Sequence, residues 1–213
     1  MKTYETYIFD LDGTLLNTLN DLATSTNYAL RQFGIAERNT EEIRQFVGNG
    51  VRKLIERAVP EGERNPCFEE VYRLFKAHYQ EHSLDTTLPY EGIIPMLKNL
   101  KAHDKKIAVV SNKFYDATQK LCRHFFNQYI EVAIGEREDI RKKPAPDIVF
   151  EALKQLHADK NTAVYVGDSD VDILTARNCG IPCISVLWGF RDQDFLKANG
   201  GTTFVKTPQE LVI

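Results

Sequence analysis

Short apolar runs, each cut off by a small or polar residue, alternate along this chain with longer stretches whose apolar positions recur every three or four residues. The runs Tyr7 to Phe9, Ile107 to Val110, Val132 to Ile134, Val164 to Val166 and Cys183 to Leu187 are rich in β-branched residues and bounded by Gly, Asp, Ser or Asn, so they read as buried strands. Between two of them, Ile148, Val149, Ala152, Leu153 and Leu156 follow Pro146 at helical spacing, as one apolar helix face entered through a proline would. Strands that alternate with helices predict an α/β fold with a parallel sheet, here a Rossmann-like three-layer core. The stretch from Asn17 to Asp85 breaks the alternation and shows only helical periodicity. Leu19, Leu22, Ala23, Thr26, Leu30 and Phe33 share one helix face that Gly34 can end, and Phe68, Val71, Tyr72, Phe75 and Tyr79 share another. Such stripes chiefly report burial, so they read as helix packing rather than ligand stacking. The expected organisation is a core made of residues 1–16 and 86–213 with a small α-helical unit, residues 17–85, inserted into it.

Composition narrows the class without naming a function. A chain of 213 residues is long enough for a core domain with a smaller one appended. Hydrophobic residues make up 43% and charged residues 27%, and no run approaches the roughly 18 apolar residues of a membrane span. The net charge is -3 with both signs interspersed, so no overall positive field draws nucleic acid, and an anionic substrate must be held locally. Met1 to Thr6 is followed at once by Ile8-Phe9-Asp10 without an apolar signal segment, from which a cytoplasmic location is expected. Cysteines are scattered and lack zinc-ligand spacing, which reads as buried free thiols. Neither do the histidines cluster: His78 and His82 could share a helix face, and with no partner acid expected near them in sequence they read as surface or cap residues. A monomer or small homodimer suits this composition.

Four segments carry candidate chemistry. Phe9-Asp10-Leu11-Asp12-Gly13-Thr14 puts two carboxylates one residue apart at the end of a buried strand, where ligands of open α/β sheets bind, and Gly13 allows a sharp turn and a close approach. An Asp-Gly turn or a helix cap would account for part of this, but not for two neighbouring like charges. Ser111-Asn112-Lys113 ends a second strand with a hydroxyl and an amide, groups that bind phosphate and also cap helices. Arg141-Lys142-Lys143-Pro144 sets cations beside a proline-stiffened turn, a pattern shared with ordinary solvated loops. Gly167-Asp168-Ser169-Asp170-Val171-Asp172 ends a further strand with clustered acids, which a hard cation such as Mg²⁺ would relieve of mutual repulsion. Outside these, Val47-Gly48-Asn49-Gly50-Val51-Arg52-Lys53 is a turn that opens a helix with two cations.

In order, Asp10-Leu11-Asp12-Gly13-Thr14, Ser111-Asn112, Lys143-Pro144 and Gly167-Asp168-Ser169-Asp170-Val171-Asp172 resemble the four motifs of the haloacid dehalogenase superfamily across most of the chain. The helical insert and the Val47 to Gly50 turn are similar to those of its phosphoglycolate phosphatase group. The resemblance implies a Mg²⁺-dependent phosphatase of small phosphorylated metabolites, in which Asp10 is the nucleophile and Asp12 the general acid and base. It further implies that Thr14, Ser111 and the backbone near Asn112 bind phosphate and that Lys143 balances its charge. Asp10, the Asp12 carbonyl and Asp168 would hold Mg²⁺, with Asp172 supporting them. The insert would then be a cap domain, with Asn49 and Arg52 as candidate substrate contacts, while Asn17 takes no catalytic duty. A sugar-phosphate mutase, a pyrophosphatase and a non-catalytic binding protein are the alternatives. Mutases of the superfamily usually carry Glu where this chain has Gly167, and dehalogenases lack the acid that Asp12 supplies.

Overall fold

The computed structural model describes residues 4–212. In chain order the strands are β1 (Thr6–Phe9), β2 (Leu16–Asn17), β3 (Leu88–Pro89), β4 (Lys106–Phe114), β5 (Val132–Glu136), β6 (Ala163–Gly167), β7 (Cys183–Val186) and β8 (Phe204–Val205). The chain divides into two compact units, Met1–Leu16 with Pro89–Ile213 and Asn17–Leu88. No helix among the described residues is long and apolar enough to cross a membrane.

The first unit is built on a six-stranded sheet in the order β5-β4-β1-β6-β7-β8, with every pairing parallel. Consecutive strands run outward from β1 to one edge and then restart on its other side at β6. Such a reversal opens a crevice beyond the carboxyl ends of the central strands. All four residues of β1 are buried, as a strand paired on both edges and covered on both faces must be. Of its helices α5 (Ile93–Ala102), α6 (Tyr115–Phe126), α7 (Asp147–Gln155) and α8 (Asp170–Cys179), the last two cover one face through Ile148, Val149, Ala152, Leu153 and Ala176, which meet Ile8, Val110, Ile134 and Tyr165 of the sheet. Burying each large aliphatic side chain there contributes about 1.5–3 kcal/mol.

Strand β4 runs further than its apolar run, because it continues through Ser111, Asn112 and Lys113 to Phe114. Its pairing with β5 shifts register between Val110 and Phe114, where Phe114 meets Glu136. The irregularity re-aims the side chains after Val110, the usual effect of a bulge beside a site.

The second unit consists of α1 (Leu19–Gln32), α2 (Thr40–Phe46), α3 (Val51–Ala58) and α4 (Phe68–His82), with α1 packed along α4. The apolar stripes are buried at Leu22, Ala23 and Leu30 and at Phe68, Val71, Phe75 and Tyr79. Asp21, on the first turn of α1, is buried as well. Its carboxylate accepts the N–H and O–H groups of both Thr86 and Thr87 at 2.6–3.2 Å, which ties the return segment to α1. His82 does have an acidic partner close in sequence, contrary to the sequence reading: its Nδ1 lies 2.8 Å from Asp85 Oδ2. Asp85 stands only three residues after His82, the spacing at which side chains on one turn meet, so the pair was legible in the sequence. Cys122 and Cys179 are buried free thiols as expected, while Cys67 and Cys183 are half-buried.

Candidate active site

Each motif lies at the carboxyl end of a strand or in the loop after it. Asp10 directly follows β1, and its N–H still donates to Val166 of β6 at 2.9 Å, so the nucleophile candidate is held in the sheet ladder. Gly13 then turns with φ of +84°, and a Cβ there would lie 2.3 Å from Asp168 Oδ2. Only glycine lets the first motif pass so close to Asp168.

Asp168 follows β6, and Ser169 caps α8 in a reciprocal box. The Asp172 carboxylate accepts the Ser169 N–H at 3.1 Å and its hydroxyl at 2.6 Å through Oδ2. That cap leaves Asp172 Oδ1 turned to Lys143, 2.8 Å away, and to the hydroxyl of Tyr165, which donates at 3.0 Å. Gly167 is imposed by the same turn, because a Cβ on it would lie 2.4 Å from Asp172 Cγ.

Lys143 arrives from the loop after β5 and is positioned by Asn112 rather than by its own helix or strand. The Asn112 side chain donates to the Lys143 carbonyl at 3.0 Å and accepts its N–H at 2.9 Å. The resemblance implies a phosphate-binding role for the backbone near Asn112, and the side-chain amide itself is committed to this clamp. The Lys143 ammonium donates to Asp10 Oδ1 at 2.7 Å, Asp172 Oδ1 at 2.8 Å and Tyr165 Oη at 3.0 Å. Arg141 and Lys142 are exposed and pair with Asp147 and Glu136, so of the basic run only Lys143 enters the site.

Asp10, Asp168 and Asp172 each offer a carboxylate oxygen within 4.8 Å of the others, and all three are buried. Burial, with repulsion from Asp172 and Asp168, holds the Asp10 carboxyl well above the usual range, and the Lys143 charge opposes this. Burial and Asp172 push Asp168 up to about 7 against the lowering effect of the Phe190 N–H. Burial pulls the Lys143 ammonium down, but Asp10 and Asp172 outweigh it and keep the group charged. Three carboxylates therefore face one ammonium, an imbalance that a divalent cation would close. The donor set, all hard oxygens, fits Mg²⁺.

Asp12 is half-buried and its carboxylate is paired with Lys113, whose ammonium donates to both oxygens at 2.9 and 3.1 Å. Sequence reasoning gave Lys113 no role, since nothing local connects it to a residue 101 positions earlier. Ser111 is buried beside it, with Oγ accepting the Lys113 N–H at 3.2 Å, and Thr14 is buried with its hydroxyl 3.5 Å from Asp168 Oδ1. Tyr165 and the segment after β7 also escaped notice: Phe190 N–H donates to Asp168 Oδ2 at 2.7 Å. Their only sequence signal was position, a tyrosine within the strand that leads to Asp168 and a Trp-Gly-Phe turn at another strand end.

Within the helical unit, Arg52 is held by carboxylates. Its guanidinium donates to Glu63 at 2.7 Å and to both Glu69 oxygens at 2.5 and 3.2 Å, and it lies over the rings of Phe68 and Tyr72. The Glu69 hydrogen bonds raise its already high pKa further. Asn49 is half-buried in the turn before α3.

A parallel sheet with this strand order, a carboxylate at the end of β1, a lysine from the following half and an acidic cluster after β6 define a class of hydrolase. The chain belongs to the haloacid dehalogenase-like hydrolase family, whose model matches residues 7–186, and its place there is among the phosphatases. It is 33% identical over 184 residues to a phosphoglycolate phosphatase of Aquifex aeolicus, covering 86% of this chain and 84% of that one. A phosphoglycolate phosphatase of Colwellia psychrerythraea is 30% identical over 220 residues, covering 100% and 97%. Among solved structures, a provisional phosphoglycolate phosphatase from Lactobacillus delbrueckii subsp. bulgaricus superposes with a TM-score of 0.94 at 37% identity, covering 99% and 97%.

Proposed function

We propose that this phosphatase hydrolyses small phosphomonoesters, phosphoglycolate foremost, through an aspartyl-phosphate on Asp10 and with Mg²⁺ bound. The observation that carries this reading is the buried constellation in which Asp10 touches Lys143 at 2.7 Å and shares its cluster with Asp168 and Asp172. Asp10, Asp168 and the Asp12 carbonyl would hold the cation, with Asp172 steadying Lys143. The cation would supply charge neutralisation at the phosphoryl oxygens. Asp10 attacks phosphorus in line, the ester oxygen leaves with a proton from Asp12, and a water deprotonated by Asp12 then releases phosphate and restores Asp10. Lys143 and Ser111 donate to the phosphoryl oxygens, so catalysis rests on positioning and charge. The helical unit acts as a cap in this scheme and sets substrate choice. Phosphoglycolate is favoured by the likeness to phosphatases of that name over most of both chains.

Gly167 speaks against the mutase alternative: a side chain such as Glu at that position would collide with Asp172. The test is hydrolysis of a panel of phosphate esters with Mg²⁺ and with a chelator. Phosphoglycolate should lead the panel, activity should vanish on chelation, and Asp10→Asn should be inactive because an amide is neither a competent nucleophile nor a good ligand. Substantial turnover by Asp10→Asn would remove the covalent mechanism. Transfer of the phosphoryl group to a second sugar hydroxyl would restore the mutase.

A further inference from the structure

The turn after β7, Trp188-Gly189-Phe190, belongs to none of the four motifs, yet it binds two of them. Phe190 gives its N–H to Asp168 Oδ2 at 2.7 Å, and Trp188 gives its indole N–H to the carbonyl of Thr14 at 2.9 Å. Between them, Gly189 passes so near that a Cβ would lie 2.3 Å from Asp168 Cβ and 2.5 Å from the Gly13 carbonyl oxygen. From the other side, a Cβ on Gly13 would lie 2.3 Å from Asp168 Oδ2 and 2.9 Å from the Phe190 ring. The first motif, Asp168 and this turn thus meet at backbone distance, and a side chain in either glycine would force them apart. Asp168 is buried, so its orientation depends on the few groups that touch it.

We propose that Trp188-Gly189-Phe190 is a positioning element of the cation site. Phe190 N–H fixes the Asp168 carboxylate, Gly189 allows the approach, and Trp188 latches the backbone of the first motif against it. The inference rests on the divalent-cation reading above. Hydrogen bonds behind a ligating carboxylate hold it in its binding orientation, and losing one typically weakens metal affinity by about 10–100-fold. A turn that merely packs would instead change the melting temperature and leave the affinity of the folded protein alone.

The experiment is Mn²⁺ binding to the full chain, measured by calorimetry and by the paramagnetic signal of the free ion, beside a thermal melt of each variant. Trp188→Phe keeps the aromatic ring and removes the N–H, and it should weaken Mn²⁺ by about 3–10-fold, the lower end expected for an outer contact. Gly189→Ala should weaken it by about 10–100-fold. Leu153→Ala, a buried position on α7, is the control: it should melt lower and bind Mn²⁺ like the wild type. Trp188 is the one tryptophan of the chain, so Mg²⁺ titrated into the wild type should also alter its fluorescence. If Gly189→Ala does not fold, Trp188→Phe decides. Variants that fold and bind Mn²⁺ within about twofold of wild type, well inside the 10-fold expected of a ligand-orienting contact, overturn the proposal while wild-type binding keeps the cation reading. Failure of the wild type itself to bind Mn²⁺ overturns both.

Discussion

Lys143 has an acceptor for each of its three ammonium hydrogens, in Asp10, Asp172 and Tyr165. Removing that charge leaves three buried carboxylates facing one another, so Lys143→Ala should lower kcat by about 10³-fold or more, as losing a preorganised charge in a buried site does. An effect confined to KM would instead make Lys143 a substrate-binding group only. Tyr165→Phe is the finer probe, because it keeps the ring and deletes one hydroxyl between Lys143 and Asp172. It should cost about 1–3 kcal/mol of stability from the unpaired buried partners and reduce kcat with KM little changed, as steady-state kinetics and denaturant melts will show. Asp12 separates the two half-reactions. Nitrophenolate leaves without a proton, so Asp12→Ala should release about one nitrophenolate per site in a burst from p-nitrophenyl phosphate and then stall, whereas phosphoglycolate should show neither burst nor turnover. Equal slowing on both substrates, with no trapped phosphoenzyme, would make Asp12 and its Lys113 partner a structural pair.

At the scale of elements, the helical unit is closed by a buried charge rather than by apolar contact alone. Asp21 of α1 takes N–H and O–H donors from the exposed Thr86 and the buried Thr87, and alanine there would leave the Thr87 N–H and hydroxyl buried and unpaired. Asp21→Ala should therefore destabilise the chain by about 2–4 kcal/mol, more than a usual cap, and the return segment should become the first protease-sensitive stretch. Arg52 bridges α3 to α4 through Glu69 and its cation–aromatic contacts. To meet a substrate carboxylate it would first have to leave two carboxylates that already hold it. Arg52→Ala is accordingly expected to lower the melting temperature and to change phosphoglycolate and p-nitrophenyl phosphate hydrolysis alike. A selective loss on phosphoglycolate would return Arg52 to the specificity site.

For the molecule as a whole, the acidic cluster makes stability depend on pH and on the cation together. Burial raises the Asp168 carboxyl to about 7 and the Asp10 carboxyl well above its ordinary range. A carboxyl whose folded pKa exceeds its unfolded value binds more protons in the folded chain, so stability falls as pH rises from the unfolded pKa toward the folded one. The metal-free protein should thus lose melting temperature between about pH 4 and 7, the span between the ordinary carboxyl value and that of Asp168, and Mg²⁺ should restore it most at the upper end. A melting temperature that rises over that range, or a Mg²⁺ effect independent of pH, would show that the cluster does not carry this repulsion.

Periodicity and strand-end chemistry by themselves determined the α/β class, the helical interruption and the acids of the site. Strand runs and their terminal Asp, Ser and Gly are local facts, and a parallel sheet sends every such terminus to one edge. That is why Asp10, Ser111 and Asp168 stood out from the chain as candidates, whereas Lys143, seven residues beyond the end of β5, was marked out only by the family resemblance. Tertiary structure alone decided which partners those residues keep. Lys113 meets Asp12, Asn112 clamps Lys143, Tyr165 joins Lys143 to Asp172, and Trp188 to Phe190 close on Asp168 and the first motif. Each of these contacts joins segments that only the order of strands in the sheet brings side by side, except the short step from Tyr165 to Asp172. Hydrogen bonds of that kind leave no period in the sequence, because their geometry is set by the sheet and not by spacing along the chain.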